Sequence, residues 1–228
     1  MAGQKQKVFG VGMHRTGTTS LRSAMPTLGY KTVKPWRWTG RYNNTLKSEN
    51  VLADAFYLAA NYDAAIYMPF MTFYKELYAA YPDAKFVLTE RNEDAWIKSM
   101  VHFFGKRNWP EVRFVFGCDA TPENEEMLRT VFRRHNREVK SFFEDKPGSL
   151  LVMNLSKGDG WMELCDFIGA DIPNAKFPRS NEKDSIYAHI VMRAIPTIST
   201  LRQHLTGEDK QQGCGQKIVT PKPRQQEP

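Results

Sequence analysis

The chain has 228 residues, 41% of them hydrophobic and 12% aromatic, which is enough for a sizeable core and excludes disorder of the whole chain. The chain has 32 Lys and Arg residues and 25 Asp and Glu residues, and the resulting net charge of +7 favours anionic partners. No RNA-binding, zinc-finger or helix-turn-helix pattern occurs, and the three cysteines are widely spaced, so neither a nucleic-acid partner nor a metal site is expected.

Two patterns of segment composition bear on the organisation of the chain. Its first residues lack the apolar core of a signal peptide, and no run of about 18 apolar residues follows. We therefore expect a cytoplasmic protein without a membrane span. After residue 206 the composition changes to mainly Gln, Lys, Pro and Gly. The sequence thus predicts one domain over residues 1–206 and a disordered tail over residues 207–228.

Short apolar runs alternate along the chain with helical segments. The predicted strands are KVFGVG (7–12), DAAIYM (63–68), AKFVLTE (84–90) and SLLVMNL (149–155). The predicted helices cover residues 18–28, 49–60, 73–81, 93–104, 122–146, 159–168 and 184–205. This alternation is typical of an α/β fold, here a three-layer sandwich with a central parallel sheet. Ligands of such folds bind at the carboxyl ends of the strands, so the loops there are the first places to examine.

The loop GMHRTGTT (12–19) follows the first strand and leads into a helix. Gly12 and Gly17 have the spacing of the phosphate-binding motif GxxxxGK[ST], and Thr19 stands at its hydroxyl position. Thr18 replaces the lysine of that motif. Backbone N–H groups at a helix N-terminus attract an anion whatever the side chains are, so the loop still predicts a phosphate site.

Arg15 lies inside this loop and can supply the positive charge that the missing lysine would carry. The next strand end is Glu90 followed by Arg91, and an arginine there argues against a Mg²⁺ site. Triphosphate hydrolysis is therefore disfavoured. The third glycine of a dinucleotide fingerprint would also fall at Arg15, so that fingerprint fails.

A second anion site is predicted at the end of the strand FVLTE. Arg91 follows this strand, and Ser99 lies about two turns into the next helix, whose predicted N-cap is Asn92. Arg91 offers a forked donor and Ser99 a hydroxyl, which together can hold a phosphate. Two anion sites at neighbouring strand ends suit a nucleotide that carries phosphates at both its 5′ and 3′ positions.

With these two motifs, the sequence resembles the compact, fungal-type branch of the sulfotransferase-like family, which has a P-loop fold. The segments that carry the resemblance are VGMHRTGTTSL (11–21), FYKELYAAYPDAKFVLTERNEDAWIKS (73–99), GDGWMELCDFIG (158–169) and FPRSN (177–181). The resemblance implies the cofactor 3′-phosphoadenosine 5′-phosphosulfate and transfer of its sulfuryl group to an acceptor hydroxyl or amine, without a metal.

The resemblance also implies roles for individual residues. The cofactor's 5′-phosphosulfate would be held by a run of loop residues, namely Arg15, Thr16, Gly17, Thr18, Thr19 and Ser20. Arg91 and Ser99 would hold its 3′-phosphate, with Arg179 as a further group near the 3′-phosphate or the adenine. Arg15 would also offset the charge that develops as the sulfuryl group leaves.

The sequence departs from the family at the position of the general base. Related proteins have an aspartate two residues before the proline that precedes FYKEL, and here that position is Tyr67. A phenol is a poor base at neutral pH. His14 is a second candidate because imidazole titrates in the right range. Asp63 and His102 are weaker candidates, the first because it lies at the far end of its strand.

Three hypotheses therefore stay open. The protein is an active sulfotransferase with an unusual base, or it binds the cofactor without transferring sulfate, or it is a repurposed member of the fold. The aromatic-rich segment 100–116 is expected to line the acceptor site, which indicates a small, apolar acceptor.

Overall fold

The computed structural model describes residues 5–33, 46–106 and 109–179. Four strands form one sheet in the order β2-β1-β3-β4, and every neighbouring pair is parallel. The strands are β1 (Val8–Gly10), β2 (Ala64–Ile66), β3 (Lys85–Thr89) and β4 (Leu150–Met153). Each coincides with a predicted strand and is shorter at its ends. The predicted helix over 184–205 and the tail over 207–228 lie outside the described residues.

Seven α-helices connect or flank these strands within the described ranges. They are α1 (Thr18–Ala24), α2 (Ser48–Asn61), α3 (Tyr74–Ala80), α4 (Glu93–Phe104), α5 (Pro110–Phe116), α6 (Glu125–Phe143) and α7 (Trp161–Ile168). The first predicted helix, 18–28, is α1 followed by a 3₁₀ turn at Met25–Leu28. The long predicted helix begins three residues later than expected, after a 3₁₀ turn at Pro122–Asn124. The sequence predicts no helix at α5, because its Val and Phe residues favour a helix only weakly and no side chain caps its start.

Side chains of the central strands alternate between two apolar layers, as the pleat of a strand requires. Val8 and Val87 point into a cluster with α1 and α7. Phe9, Phe86 and Leu88 point into a larger cluster with α2, α3, α4 and α6. Helices thus cover both faces of the sheet, which confirms the predicted three-layer α/β sandwich. Burial of each such side chain stabilises the fold by about 1.5–3 kcal/mol.

The ends of β1 and β3 approach each other unusually closely. Val11 donates its N–H to the carbonyl of Val87 at 2.9 Å, which continues the pairing past the end of β1. A Cβ atom on Gly12 would lie 2.0 Å from the Thr89 hydroxyl and 2.7 Å from the backbone N and O of Thr89. Only glycine therefore lets the first loop leave the sheet beside the end of β3.

Within the described ranges, no helix has the length and apolar character needed to cross a membrane.

Candidate functional site

The loop between β1 and α1 turns sharply at Arg15 and Gly17. Arg15 has a φ of 67° and Gly17 a φ of 110°, both in the left-handed region that L side chains rarely adopt. A Cβ atom on Gly17 would also lie 2.5 Å from Cδ1 of Leu155. Helix geometry leaves the N–H groups of Thr18 and Thr19 without acceptors inside α1. The loop thus presents backbone donors at a point where no side chain would fit.

The threonine hydroxyls of the loop have different partners. Thr16 is buried, and its hydroxyl donates to the Met13 carbonyl at 2.7 Å and lies 2.6 Å from the Thr89 hydroxyl. Because one proton cannot serve both contacts, Thr89 donates to Thr16. Thr16 therefore ties the loop to the end of β3. We expect Thr16 to contribute to an anion site through its backbone and the shape of the loop, because its hydroxyl is already engaged.

Arg15 and the two residues predicted for the second anion site come together. The Nε of Arg15 donates to the Ser99 hydroxyl at 2.9 Å, and Nη1 of Arg91 donates to the Arg15 carbonyl at 3.2 Å. The guanidinium of Arg15 lies 4.4 Å from the centre of the Phe103 ring. The structure thus joins the two predicted phosphate motifs into one site.

Within the described ranges, the positive charges of Arg15 and Arg91 have no carboxylate partner. Burial lowers the pKa of the Arg15 guanidinium, and the neighbouring charge of Arg91 lowers it further. No carboxylate forms an ion pair with either arginine in the part of the chain that the structure describes. By contrast, Arg129 on α6 pairs with Glu93, Asp94 and Glu125. Unpaired, partly buried guanidinium groups are costly, and a bound anion would offset that cost.

Tyr67 lies on the β2 side of the loop, immediately after that strand. Its phenol donates to the Thr19 hydroxyl at 2.6 Å, and its backbone has a φ of 85°. The Met68–Pro69 peptide bond that follows is cis. Tyr67 is therefore held against the loop, and its hydroxyl proton is engaged with Thr19.

His14 packs against side chains of helix α4. Its carbonyl accepts a 2.8 Å hydrogen bond from Nε1 of Trp96, and its ring meets the Phe104 ring edge-on at 5.6 Å. Its Nδ1 is buried with no hydrogen-bond partner. Burial, together with the charge of Arg15, lowers the pKa of His14 to about 4. The imidazole is therefore neutral at neutral pH.

The other two candidate bases lie away from this cluster. Asp63 precedes β2, and its carboxylate accepts the N–H of Lys31 at 2.9 Å. It therefore sits at the amino end of the sheet, opposite the loop. His102 is exposed on α4.

A cavity of about 220 Å³ opens beside the loop at the end of β4. Its lining includes Ser20, Leu155, Trp161, Phe177 and Arg179. The Trp161 and Phe177 rings meet at 4.9 Å, and Nε1 of Trp161 donates to the Ala175 carbonyl at 2.7 Å. Ser20 and Arg179, which are far apart in sequence, thus share one cavity wall.

A second, open groove of about 770 Å³ runs along α6 from Arg91. Four of its lining residues are basic, namely Arg91, Arg133, Arg137 and Lys140. Two of these are engaged by carboxylates, because Arg133 contacts Glu93 and Glu126 and Lys140 contacts Glu90. The groove adds to the positive field around Arg91.

One charged residue near the loop was missed by sequence reasoning. Arg22 lies one turn after Thr19 on α1, and its guanidinium stands over the Tyr67 ring with Cζ 5.9 Å from the ring centre. The spacing of three residues from Thr19 was the signal available in the sequence. Among the described residues, no group of three His, Cys, Asp or Glu side chains is arranged to hold a metal ion.

The chain is similar to a known protein family and to a fungal protein. The family model described as a sulfotransferase domain matches residues 7–120 and 109–186. A protein of Aspergillus versicolor named Ava biosynthesis cluster protein M is 25% identical over 217 residues, an alignment that covers 75% of this chain and 79% of the relative.

Proposed function

Because the chain belongs to the sulfotransferase domain family, we propose that it transfers a sulfuryl group from 3′-phosphoadenosine 5′-phosphosulfate to a hydroxyl or amine of a small, apolar acceptor. The observation that carries the proposal is the contact of Arg15 with both Ser99 and Arg91. These contacts place the donors of the loop beside those of the strand end, where a nucleotide with two phosphate groups would bind. The name of the Aspergillus relative, a biosynthesis cluster protein, supports a small-molecule acceptor.

The residues fit this cofactor by charge and by shape. Gly17 lets the loop pass closely by Leu155, and the first-turn N–H groups of α1 that follow are donors for an anion. The guanidinium groups of Arg15 and Arg91 carry donors only, as a polyanion requires, and the Ser99 hydroxyl, which accepts from Arg15, has a proton of its own to donate. When bound, the cofactor supplies an activated sulfuryl group. The chain holds its phosphates and, through Arg15, stabilises the negative charge left on the bridging oxygen.

The cavity beside Ser20 suits the nucleoside part of the cofactor. Trp161 and Phe177 provide apolar ring surface for a purine, and Arg179 stands at the same wall. The ends of β1, β3 and β4 are successive in the sheet. A nucleotide would therefore extend from the loop across the end of β3 towards β4.

The acceptor would then approach from the other side of the loop, where β2 ends at Tyr67. Tyr67 orients the Thr19 hydroxyl, which leaves the Thr19 proton free to be donated to a ligand oxygen. His14 is neutral, and its Nδ1 is enclosed by protein. With no carboxylate at this point among the described residues, an acidic acceptor hydroxyl such as a phenol is the acceptor that the site suits best, because it needs little help from a base.

A second function is favoured by the same observation at Tyr67. A chain without a strong base at this position can bind the nucleotide and transfer no sulfate, or use the fold for other chemistry. Both this binding function and the sulfotransferase function require the nucleotide site, and only the latter requires turnover.

The nucleotide site is tested by equilibrium titration of the full chain with 3′-phosphoadenosine 5′-phosphate, ATP and NAD. We expect tight binding of the doubly phosphorylated adenosine alone. Arg91→Ala should weaken that binding at least about tenfold, since hydrogen bonds to charged groups contribute about 1.5–3 kcal/mol. Arg134→Ala, which removes an exposed arginine of α6, is the matched control and should bind normally.

Equal affinity for ATP or NAD would contradict the cofactor assignment. Transfer of radiolabelled sulfate from the cofactor to a panel of phenols and alcohols then separates the two functions. Turnover supports the sulfotransferase, whereas nucleotide binding without turnover on any acceptor supports the binding protein.

A further inference from the structure

Arg22 has no polar partner in the described part of the chain. Its Nε is buried without a hydrogen-bond partner, and no carboxylate pairs with its guanidinium. Its contact is the face of the Tyr67 ring, at 5.9 Å. A ring face attracts the charge of a guanidinium but accepts none of the N–H groups in its plane. Among the described residues, the terminal N–H groups of the Arg22 guanidinium therefore have no protein acceptor and are available to a ligand.

The position of Arg22 separates it from the proposed nucleotide site. Successive residues of a helix are rotated by about 100°, so Arg22 and Ser20 point about 160° apart, whereas Arg22 and Thr19 point about 60° apart. Ser20 lines the cavity at the end of β4. Arg22 and Thr19 lie on the side of α1 that faces Tyr67, at the end of β2. The two sides of α1 thus face different strand ends.

This side of the loop would meet the acceptor rather than the nucleotide. The groups proposed for the nucleotide lie at the ends of β3 and β4, whereas β2 is on the opposite side of β1. A long side chain on a helix also points towards its N-terminus, which directs Arg22 back towards Thr19. An anionic group on the acceptor would pair with this guanidinium while the acceptor's hydroxyl lies near the loop.

We propose that Arg22, together with the adjoining Tyr67 ring, forms a subsite for a carboxylate carried by the acceptor. This inference rests on the proposed function and narrows it, because the acceptor becomes an aromatic or apolar hydroxy acid. The planar fork of arginine matches the two oxygens of a carboxylate, and the Tyr67 ring gives the apolar body of the acceptor a surface.

A matched pair of fluorescent probes tests the subsite. The full chain is saturated with 3′-phosphoadenosine 5′-phosphate and titrated with 6-hydroxy-2-naphthoate or with the neutral 6-hydroxy-2-naphthamide. We expect the acid to bind at least about tenfold more tightly than the amide. Arg22→Gln should reduce this ratio to about twofold or less, and Arg22→Lys should give an intermediate ratio because it keeps the charge but loses the fork.

Arg134→Gln removes the same charge from an exposed position of α6 and should leave the ratio as in the unmodified chain. Equal binding of the two probes to the unmodified chain overturns the inference, as does an unchanged ratio in Arg22→Gln. An intermediate ratio in Arg22→Lys together with its loss in Arg22→Gln would follow the charge at position 22, and unchanged nucleotide binding in both variants excludes unfolding as the cause.

Nucleotide titrations separate the failure of this inference from the failure of the proposed function. Arg22→Gln should leave the dissociation constant of 3′-phosphoadenosine 5′-phosphate within about threefold. If it weakens nucleotide binding as much as Arg91→Ala does, Arg22 belongs to the nucleotide site and the inference fails while the proposed function stands. If the unmodified chain does not bind this nucleotide, the proposed function fails, and the probe ratio measured without nucleotide still decides the role of Arg22.

Discussion

The hydrogen bond between Tyr67 and Thr19 bears on two roles of Tyr67, that of a general base and that of a group that orients Thr19. A general base must have a lone pair free to accept a proton from the acceptor. Here the phenol donates its own proton to Thr19 at 2.6 Å, and Thr19 borders the loop that would hold the phosphosulfate. This geometry fits a residue that orients Thr19, and it differs from that of the carboxylate seen in related proteins.

Replacement of Tyr67 by phenylalanine tests this role. We expect sulfate transfer to fall about tenfold, because a single hydrogen bond contributes about 0.5–1.5 kcal/mol. The pH profile of kcat/KM should keep its shape. Tyr57→Phe, at an exposed tyrosine of α2, is the control. A loss of about a thousandfold or more with an altered pH profile would instead identify the phenol as an acid–base group.

His14 makes the stability of the fold depend on pH. Its imidazole takes up a proton at about pH 4 in the folded chain and near pH 6.5 when unfolded. The neutral form therefore predominates in the fold, and the free energy of unfolding falls as the pH is lowered from about 6.5 to about 4. Burial lowers the pKa of His135 as well, and this contribution is common to all variants of His14.

Urea denaturation at pH 7 and pH 4.5 measures the contribution of His14. When the pH is lowered from 7 to 4.5, the free energy of unfolding should decrease in both proteins. The decrease should be about 2 kcal/mol smaller for His14→Gln than for the unmodified chain. His102→Gln, at an exposed histidine of α4, should behave like the unmodified chain. Equal losses for the unmodified chain and for His14→Gln would show that His14 does not titrate in this window.

At the scale of the elements, the site depends on how β1 and β3 end side by side. Gly12 allows the chain to pass Thr89, and the hydroxyls of Thr16 and Thr89 then join the two ends at 2.6 Å. Helix α4 begins at the next turn, where the Asn92 side chain accepts the N–H of Ala95 at 3.1 Å. This cap fixes the start of the helix that carries Ser99 to Arg15.

Substitution of Gly12 by alanine should separate these ends. The added Cβ meets both backbone and side-chain atoms of Thr89, so we expect a loss of about 3 kcal/mol in the free energy of unfolding. Gly117→Ala is the control, because nothing lies within 4 Å of its Cβ position and the cost is only that of a left-handed backbone, about 1 kcal/mol. Similar losses in both variants, measured by chemical denaturation, would show that Gly12 is not tightly packed.

The sequence predicts most of these elements because their signals are local. Asn92 caps α4 at the predicted residue, and Gly29, with a φ of 73°, ends the 3₁₀ turn after α1. Segments without such signals escape this reasoning. Helix α5 begins at Pro110 without a side-chain cap, and its Val and Phe residues favour a helix only weakly.

At the scale of the whole molecule, the strand order distributes the proposed functions. Because β1 lies between β2 and β3, its loop has Arg91 and Ser99 on one side and Tyr67 and Arg22 on the other. The proposed nucleotide and the proposed acceptor molecule can therefore reach one loop from opposite directions. Parallel strands make this arrangement available, since their carboxyl ends meet at the same edge of the sheet.

By itself, the sequence determined the alternation of strands and helices and the glycine-containing loop, and it predicts Arg91 and Ser99 at one anion site, because these follow from local spacing and from apolar periods. The tertiary structure decided three further points. It brought Arg15 to Ser99, engaged the Tyr67 proton with Thr19, and left Arg22 without a polar partner among the described residues. Such contacts join residues up to 84 positions apart, and the strand order that creates them is not written in any local pattern.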